Sequence, residues 1–325
     1  MSEITLSNKP VVLQHNAITE AYYDMTAMEK NVFYMLIAQV KRSDKLGRSY
    51  SVSVRNLKTH TGRKINHLEF KLLSAKMLSR TLSVRIAGDA FIKFNFLHSS
   101  EYVRKNAALK MELSKQIFAY VVDLKSKFTL FSLSVALSLR SKYSKRLYEM
   151  FSQYSDTGVF KISVSELKNR LHLINIKTGE EQYARFTWFK KNVLDIAHEE
   201  INGNSDIKFT YTAVKQGRSY KYLLFDIVKL KLDEKLPDNK DSNRDKLVKD
   251  RLINKFKLSK WQVSRIVNGV DIKEIGKTTY AIDLEILSGK VRNVGGYTAK
   301  VFDQKYNLGL FDKSNMLDLV GSKTG

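Results

Sequence analysis

The stretch that most constrains the fold runs from residue 139 to residue 228. It begins with LRSKYSKRLYEMFSQY and KISVSELKNRLHL, in which helical spacing of apolar residues surrounds a short β-branched run. It continues with the amphipathic segment YARFTWFKKNVLDIAHEEIN. It closes with DIKFTYTAVKQGRSYKYLLFDIV, where apolar and polar residues alternate around a Gly-Arg turn. These patterns predict the order helix, strand, helix, helix and a two-stranded hairpin.

This order is that of a winged helix, a helix-turn-helix variant whose second helix normally lies in the DNA major groove. On that helix, one apolar face is predicted to be core: Phe186, Phe189, Val193, Ile196 and Ala197. The opposite face carries groups that suit bases and phosphates: Thr187, Trp188 and Lys191, with Arg185 and Asn192 at its edge. An ordinary amphipathic helix with a solvated charged face explains this single segment equally well.

Net charge points to a polyanionic partner. The 325 residues include 56 Lys and Arg against 33 Asp and Glu, a formal net charge of +23. Such an excess attracts nucleic acid first and an anionic membrane surface second. Residues 51–150 hold 19 basic and 6 acidic residues, whereas residues 151–200 hold 7 of each. We therefore expect the first part to attract phosphates and the second part to use a few selected cations.

Composition excludes several classes of site. The chain has no cysteine, so disulfides, thiolate metal sites and cysteine nucleophiles are absent. The first residues, MSEITLSNK, lack the charged and apolar regions of a signal peptide. The apolar run VFYMLIAQV is too short to cross a bilayer. These features predict a cytoplasmic protein with no membrane partner.

Two short motifs resemble catalytic sites but lack a required residue. Gly276-Lys277-Thr278-Thr279 looks like the end of a phosphate-binding loop, but the glycine needed five positions earlier is Asp271. His198-Glu199 resembles a zinc-protease start, but the second histidine position is Asn202. No histidines occur as His-x-His, so the metal site of a strand-nicking initiator is missing. The sequence therefore predicts no catalytic residue, metal or cofactor.

An internal repeat predicts a duplicated domain. The seven residues from Val52 to Lys58 align with those from Ile162 to Lys168, 110 positions later. An aromatic-rich helix precedes each copy (NVFYML and RLYEMF), and a helix containing Phe-Lys follows each one. In the first copy, Thr26 and Glu29 form a predicted capping box for a helix that continues through Val40, Lys41 and Arg42. Gly88-Asp89 is the predicted turn of a hairpin.

The second helix of the first copy, predicted from Ile65 to Arg80, is apolar nearly all round. One apolar face consists of Leu68, Leu72 and Ala75, and the other consists of Phe70, Leu73 and Met77. The narrow polar gap between them consists of His67, Lys71 and Ser74. A helix of this kind is buried on several sides. We therefore expect the first domain to contact a neighbouring domain or a second copy, and the second domain to be the stronger reader of DNA sequence.

The fold class predicted from these patterns is α+β, with two tandem winged-helix domains related by duplication and a C-terminal accessory segment. The predicted boundaries are an N-terminal arm at 1–25, the first domain at 26–135, the second at 136–228, a charged linker at 229–246 and the accessory segment at 247–325. The linker, KLKLDEKLPDNKDSNRDK, is charged and has little apolar content.

The ordered set of LRSKYSKRLYEMFSQY, SELKNRL, the F-x-x-F-K-K helix, EEIN and the Gly-Arg hairpin resembles the plasmid replication initiators that bind iterons, short direct repeats at an origin. VVLQHNAIT and YDMTAMEKNVFYMLIAQV resemble the start of such initiators, so the similarity covers roughly residues 10–228. The resemblance implies monomers on double-stranded origin repeats and homodimers that repress the initiator's own promoter. It also implies recruitment of a host initiator ATPase and a replicative helicase.

Carried over by position, the resemblance places the second recognition helix at Tyr183–Asn192 and its wing at Lys208–Lys221. The predicted DNA-binding residues are Arg63, Lys64, His67 and Lys71 in the first domain, Tyr183, Arg185, Thr187, Trp188, Lys190, Lys191 and Asn192 on the second recognition helix, and Lys215, Arg218 and Lys221 in the wing. The predicted function is a non-enzymatic initiator of plasmid replication. A winged-helix transcription regulator without a replication role is the alternative, and a nicking enzyme is the third.

Overall fold

The structure, a computed structural model, describes residues 10–62, 65–86, 90–122, 124, 127–175, 178–230, 241–287 and 291–311. Its helices are α1 (Asn16–Glu20), α2 (Ala27–Ile37), α3 (Val54–Thr61), α4 (His67–Ser79), α5 (Lys115–Val122), α6 (Leu133–Ser138), α7 (Lys142–Tyr154), α8 (Val164–Arg170), α9 (Phe186–Phe189), α10 (Asp195–Asn204), α11 (Asp241–Asn254), α12 (Lys260–Gly269), α13 (Ile272–Leu287) and α14 (Val294–Tyr306). A 3₁₀ turn spans Arg104–Asn106, and a π-helical segment spans Lys190–Leu194.

The strands are β1 (Val11–His15), β2 (Ser49–Ser53), β3 (Thr81–Arg85), β4 (Phe91–Asn95), β5 (Leu97–Val103), β6 (Ala108–Leu113), β7 (Phe128–Ser132), β8 (Val159–Ser163), β9 (Ile207–Gln216) and β10 (Ser219–Lys229). The mixture of helices and sheets confirms the α+β prediction. The residues predicted as the hairpin turn, Gly88-Asp89, lie outside the described residues.

The chain divides into two compact units. The first contains the described residues up to Gln153 together with Ser163–Phe209, Lys229 and Leu230. The second contains Tyr154–Ile162, Thr210–Val228 and the described residues after Pro237. The first unit thus holds most helices of both winged-helix copies, and the second holds most of the second wing with the C-terminal helices.

The two winged-helix copies share one sheet topology. In the first copy the three-stranded sheet has the order β2-β6-β5, and in the second the order is β8-β10-β9. In both, the strand that leads into the helix pair lies beside the last strand of the hairpin. Among the described residues, the separate hairpin β3-β4 has no counterpart in the second copy, so it is an insertion after α4.

The repeated sequence motif has the same local structure in both copies. β2 ends at Ser53, whose side chain accepts a hydrogen bond from the Asn56 amide and caps α3. β8 ends at Ser163, whose side chain accepts one from the Glu166 amide and caps α8. A serine N-cap satisfies a helix donor that would otherwise be unpaired. The matching residues therefore encode a strand, a cap and a helix.

Helix α2 lies in the core of the first unit. The Thr26–Glu29 capping box is confirmed, since the Thr26 hydroxyl accepts from the Glu29 amide at 3.3 Å and the Glu29 carboxylate accepts from the Thr26 amide at 2.7 Å. The helix ends at Ile37, whereas the sequence predicted that it would continue through Arg42. The Asp44 carboxylate accepts the Lys41 amide in a turn at this point, which takes the place of another helical turn.

A buried cluster of charges connects α2 with α7. Glu149 and Lys30 are fully or almost fully buried and lie 2.5 Å apart. Arg146 also pairs with Glu149, and its guanidinium donates to the carbonyls of Thr19 at 3.1 Å and Ala21 at 2.9 Å. Burial lowers the pKa of Lys30 to about 7, although the Glu149 carboxylate opposes the shift. One carboxylate therefore compensates two cations in a site that water does not reach.

The orientation of α4 corrects the prediction of burial on several sides. Phe70, Leu73, Ser74 and Met77 are buried, so Ser74 belongs to the core side and not to the polar gap. Its hydroxyl lies 2.7 Å from that of Ser100 on β5. Leu68 and Leu72 are exposed by 67% and 53%, and Ala75 is exposed as well. Only one of two competing apolar faces can pack on the sheet, and here the face with Phe70 and Met77 does so.

The C-terminal residues fold into helices α11 to α14 around their own core. Leu252, Phe256, Val263, Ile266 and Phe302 are among its buried members. Helix α11 begins at Asp241, inside the stretch predicted as linker. A Cβ atom placed on Gly295 would lie 2.7 Å from the Lys257 carbonyl oxygen, so α14 packs too closely for a larger residue. In the part of the chain that the structure describes, no helix is long and apolar enough to cross a membrane.

Candidate nucleic-acid interface

The helical run from Phe186 to Asn204, which we call the reading helix, consists of α9, the π-helical segment and α10. Its buried residues are Phe189, Val193, Leu194, Ala197 and Ile201. The prediction of Ile196 as core is wrong, because this side chain is 40% exposed. A π turn holds one residue more than an α turn, so the buried face after Val193 shifts by one position along the sequence.

The predicted DNA-facing side of the reading helix is open to solvent. Arg185, Thr187 and Lys191 are exposed, and Trp188 is 57% exposed. Within the described ranges, neither Arg185 nor Lys191 takes part in an ion pair. Two cations, a hydroxyl and an indole are thus presented together at the start of one helix. These groups can donate to phosphate oxygens and to base edges.

Two other predicted residues near this face, Lys190 and Asn192, have structural partners. The Lys190 ammonium pairs with both Asp195 carboxylate oxygens at 2.7 and 2.9 Å. The Asn192 side-chain amide donates to the Trp188 carbonyl at 2.8 Å, which leaves its own oxygen as an acceptor. Tyr183 precedes the helix in a left-handed conformation with φ of 58°. Asp195 offsets the charge of Lys190, so we expect Arg185 and Lys191 to contribute more to DNA binding.

Lys168 of α8 holds the loop that leads into the reading helix, and the sequence analysis did not identify it. Its side chain is 3% exposed and forms a short ion pair with Glu181. Its ammonium also donates to the carbonyls of Tyr183 at 2.9 Å and Ala184 at 3.4 Å. It lies 5.1 Å from the centroid of the Phe189 ring. One buried cation therefore ties α8 to the residues just before the reading helix.

Replacing Lys168 with methionine should destabilise the fold and weaken DNA binding together. Methionine fills similar space but leaves two backbone carbonyls without their donor, at a cost of about 1–3 kcal/mol. Urea unfolding and DNA-binding titrations of the variant test this. Lys58→Met is the matched control, because Lys58 occupies the equivalent repeat position and is exposed. Equal effects of the two substitutions would contradict the role assigned to Lys168.

The wing of the second copy is the hairpin β9-β10. It turns at Gly217, whose φ of 64° favours glycine, and Arg218 follows at the tip. Lys215, Arg218 and Lys221 are all exposed, and the Lys215 ammonium lies 4.9 Å from the centroid of the Tyr220 ring. The three predicted wing cations therefore lie close together at one end of a hairpin, where they can reach a phosphate backbone.

The predicted contacts of the first copy are only partly described. Arg63 and Lys64 lie outside the described residues. Lys71 is exposed on α4, and the His67 Nδ1 atom lies 2.5 Å from the Tyr102 hydroxyl on β5. His67 is thus held against the sheet by one ring nitrogen.

Two exposed cations at the tip of the first wing were missed by the sequence analysis. Arg104 and Lys105 lie in the turn between β5 and β6. The equivalent turn of the second copy carries Arg218. Aligning the wing strands of the two copies would have identified them. The inserted hairpin β3-β4 prevents that alignment, because the sequence does not show which strands form the first wing.

The motifs that resemble catalytic sites have structural explanations. Gly276, Thr278 and Thr279 lie inside α13 and are buried. The Thr279 hydroxyl donates to the carbonyls of Ile275 and Gly276 at 2.9 Å each, so these residues do not form a phosphate-binding loop. His198 and Asn202 are hydrogen-bonded to each other on α10. Over the described residues, no group of three or more His, Asp or Glu side chains is arranged to hold a metal ion.

Comparison with known proteins identifies the family. The family model described as "Initiator Replication protein, WH1" matches residues 11–152, and that described as "Initiator Rep protein, WH2" matches residues 163–227. Together the two models cover more than half of the chain. The chain belongs to the initiator replication protein family. Membership of the replication initiators and the two winged-helix domains predicted from the sequence are thereby confirmed.

Several relatives of this initiator are known. The PI protein of Escherichia coli is 28% identical over 255 residues, which cover 68% of this chain and 84% of that protein. A probable replication protein of Bifidobacterium longum (strain NCC 2705) is 32% identical over 68 residues, which cover 21% of this chain and 23% of that protein. The crystal structure of the Pi initiator protein in complex with iteron DNA matches with a TM-score of 0.59 at 24% identity, covering 69% of this chain and 99% of that chain. That likeness shows a shared fold.

Proposed function

We propose that this initiator starts plasmid replication by binding direct repeats in double-stranded DNA at the origin. The observation that carries the proposal is the exposed face of the reading helix, where Arg185, Thr187, Trp188 and Lys191 are all accessible. An exposed cationic face on a well-buried helix is what major-groove recognition needs. Family membership makes replication initiation the process served by that recognition.

The two domains divide the work of DNA binding. The second domain, residues 136–228, reads bases through the reading helix and reaches phosphates through Arg218. The first domain, residues 26–135, supplies phosphate contacts and protein contacts, and its wing cations Arg104 and Lys105 support that role. Two readers on one chain can bind one repeat of about two helical turns, as a dimer of single readers does.

A footprint of the purified protein on the DNA that flanks its own gene, at two salt concentrations, tests the proposal. We expect evenly phased protection of direct repeats. Protection of a single inverted repeat over a promoter, without protected direct repeats, would favour a transcription regulator. If the protein binds without a discrete footprint, and its affinity falls steeply as salt rises, the cations contact phosphates but the reading helix does not read sequence.

A homodimer that represses the initiator's promoter forms a second part of the proposal. The exposed apolar residues of α4, Leu68 and Leu72, support a protein contact made by the first domain. Exposed apolar surface of this kind favours a partner contact. The DNA-bound form on the direct repeats is the monomer, so the two activities use different oligomeric states.

Replacing Leu68 and Leu72 with glutamine should shift the protein to the monomer, because glutamine keeps the helix but removes apolar area. Sedimentation velocity measures the shift, and footprinting on direct repeats should change little. Leu46→Gln is the control, since Leu46 is 51% exposed and lies outside α4. A dimer that withstands the double substitution as well as it withstands the control would move the contact elsewhere.

The proposed initiator is not an enzyme and works in the cytoplasm, where it recruits a host initiator ATPase and a replicative helicase. Its binding would bend or open a nearby A·T-rich segment for that machinery. Permanganate reactivity of thymines, measured with and without the protein, tests strand opening. Unchanged reactivity would contradict it.

Loss of a plasmid when the gene is interrupted separates an initiator from a regulator.

A further inference from the structure

We infer that helix α13 holds the second wing in place, and that Gly276 and Tyr280 are positioning residues for the wing's contacts with DNA. The inference rests on the proposed function, because it assigns the wing a role in binding the repeats. It concerns residues beyond the matched family models, which end at residue 227. All the contacts that support it lie within the second compact unit.

The first contact is a close approach of α13 to the turn that precedes β8. Gly276 is buried, and a Cβ atom on it would overlap the carbonyl oxygen of Thr157 and lie 3.7 Å from the Val159 side chain. The overlap is with backbone, which cannot rotate away as a side chain can. Helix and turn therefore approach this closely only because residue 276 is glycine.

The next contact joins the same helix to strand β9 of the wing. One turn after Gly276, the Tyr280 hydroxyl donates to the Thr212 Oγ1 atom on β9 at 3.2 Å. Lys277 binds Glu274 at 2.7 Å, and both Glu274 and, to a smaller extent, Asp226 on β10 raise the pKa of its ammonium. Helix α13 thus contacts the turn before β8 and strand β9, and Asp226 on β10 acts on it only through a longer-range electrostatic effect on Lys277.

Burial within the wing sheet agrees with a covered outer face. Side chains alternate between the two faces of a strand, so Tyr222, Leu224 and Asp226 share one face of β10. Leu224 is fully buried on that face, although a wing that extends from a domain usually leaves one face in water. The Lys161 ammonium of β8 lies over the Tyr222 ring, 5.0 Å from its centroid.

The functional consequence concerns the cations at the tip of this hairpin. Lys215, Arg218 and Lys221 lie at the tip of the hairpin, and Thr212, the β9 residue that Tyr280 contacts, is only three residues before Lys215. Strand β8 has five residues and β10 has eleven, so the tip of the hairpin continues beyond β8 as two strands, which alone are marginally stable in water. Packing against α13 fixes the direction of the hairpin before DNA arrives, so less ordering is needed on binding.

Two leucine substitutions on α13 provide a matched test in the full-length protein. Gly276→Leu forces the helix away from Thr157, whereas Ala281→Leu adds the same side chain at an exposed position. Hydrogen exchange of the amides in residues 210–228 should become about tenfold faster in Gly276→Leu, because the wing opens locally more often. It should stay unchanged in Ala281→Leu. Equal wing protection in both variants would overturn the inference.

A DNA-binding cycle separates positioning of the wing from general destabilisation. Arg218→Ala should weaken binding about tenfold in wild type and in Ala281→Leu, the scale of one hydrogen bond to a charged group. In the Gly276→Leu variant, Arg218→Ala should cause no further loss of DNA affinity, because the wing no longer presents Arg218 to the DNA. Additive losses would contradict the assignment. If Gly276→Leu does not fold, Tyr280→Ala replaces it in both measurements with the same expectations.

The two measurements also distinguish this inference from the proposed function. If the wild-type protein protects no direct repeats, the proposed function fails. Hydrogen exchange of residues 210–228 then still decides whether α13 holds the wing. If repeats are protected but the cycle is additive, the initiator function stands and the role of α13 in DNA binding is rejected.

Discussion

Replacing Arg185 and Lys191 together with alanine is expected to abolish specific DNA binding while the protein remains folded. Arg185 is exposed directly before the reading helix and Lys191 is exposed on it, so their removal leaves no buried group unpaired. A well-placed arginine on a base edge alone contributes about 1–3 kcal/mol of discrimination, so the double variant should lose specific affinity by about a hundredfold or more. Competition binding with origin DNA and unrelated DNA measures the loss, and circular dichroism checks the fold.

The control for this experiment removes the same charge elsewhere. Lys260 and Lys300 are exposed on α12 and α14, and their double alanine variant has the same net charge as the Arg185 and Lys191 variant. If attraction by net charge dominates, both variants should lose affinity equally and their binding should respond to salt alike. Retained specific affinity in the Arg185 and Lys191 variant would place the reader on another element.

Replacing Glu149 with glutamine is expected to cause a large loss of stability. Glu149 is fully buried and is the shared partner of Lys30 and Arg146, which are also buried. Glutamine keeps the shape but leaves two cations without a countercharge. Breaking a buried pair in this way costs about 3–5 kcal/mol. Urea unfolding at neutral pH measures the loss, and Glu101→Gln, at an exposed position, is the control.

The pH dependence of this loss follows from Lys30. Burial lowers its folded-state pKa to about 7, below the ordinary lysine value that it has in the unfolded chain. A lowered folded pKa means that stability is gained as pH rises through it and lost as pH falls. Without Glu149 that pKa falls further, so the penalty of a charged Lys30 is greatest in acid. The difference between wild type and Glu149→Gln should be larger at pH 6 than at pH 9, and a constant difference would show that Lys30 does not contribute.

Local patterns in the sequence predicted most of the elements. The capping box of Thr26 and Glu29 depends on two residues three positions apart, so the sequence alone predicted it. The alternation in β9 and β10 likewise predicted the wing. The spacing of Phe189 and Val193 predicted the buried side of the reading helix, and the exposed side is the one opposite to it.

The sequence did not predict the correct buried face where two arrangements fit the local pattern equally well. Helix α4 has two apolar faces, and periodicity does not say which one meets the sheet. Ile196 fits the helical spacing of the core, but a π-helical segment before it turns it outward. The positions of Lys168 and Gly276 depend on backbone carbonyls brought close by folding, and neither residue has a local sequence signal for that contact.

By itself, the sequence determined a duplicated α+β chain with two winged helices, a strong positive charge and a reading helix with a cationic face, because each of these follows from composition or from residues close in sequence. Only the tertiary structure decided which face of α4 is buried, that Glu149 compensates Lys30 and Arg146, and that α13 packs against the second wing. Those outcomes depend on contacts between residues far apart in the chain. Their free energies come from burial, which local spacing does not determine.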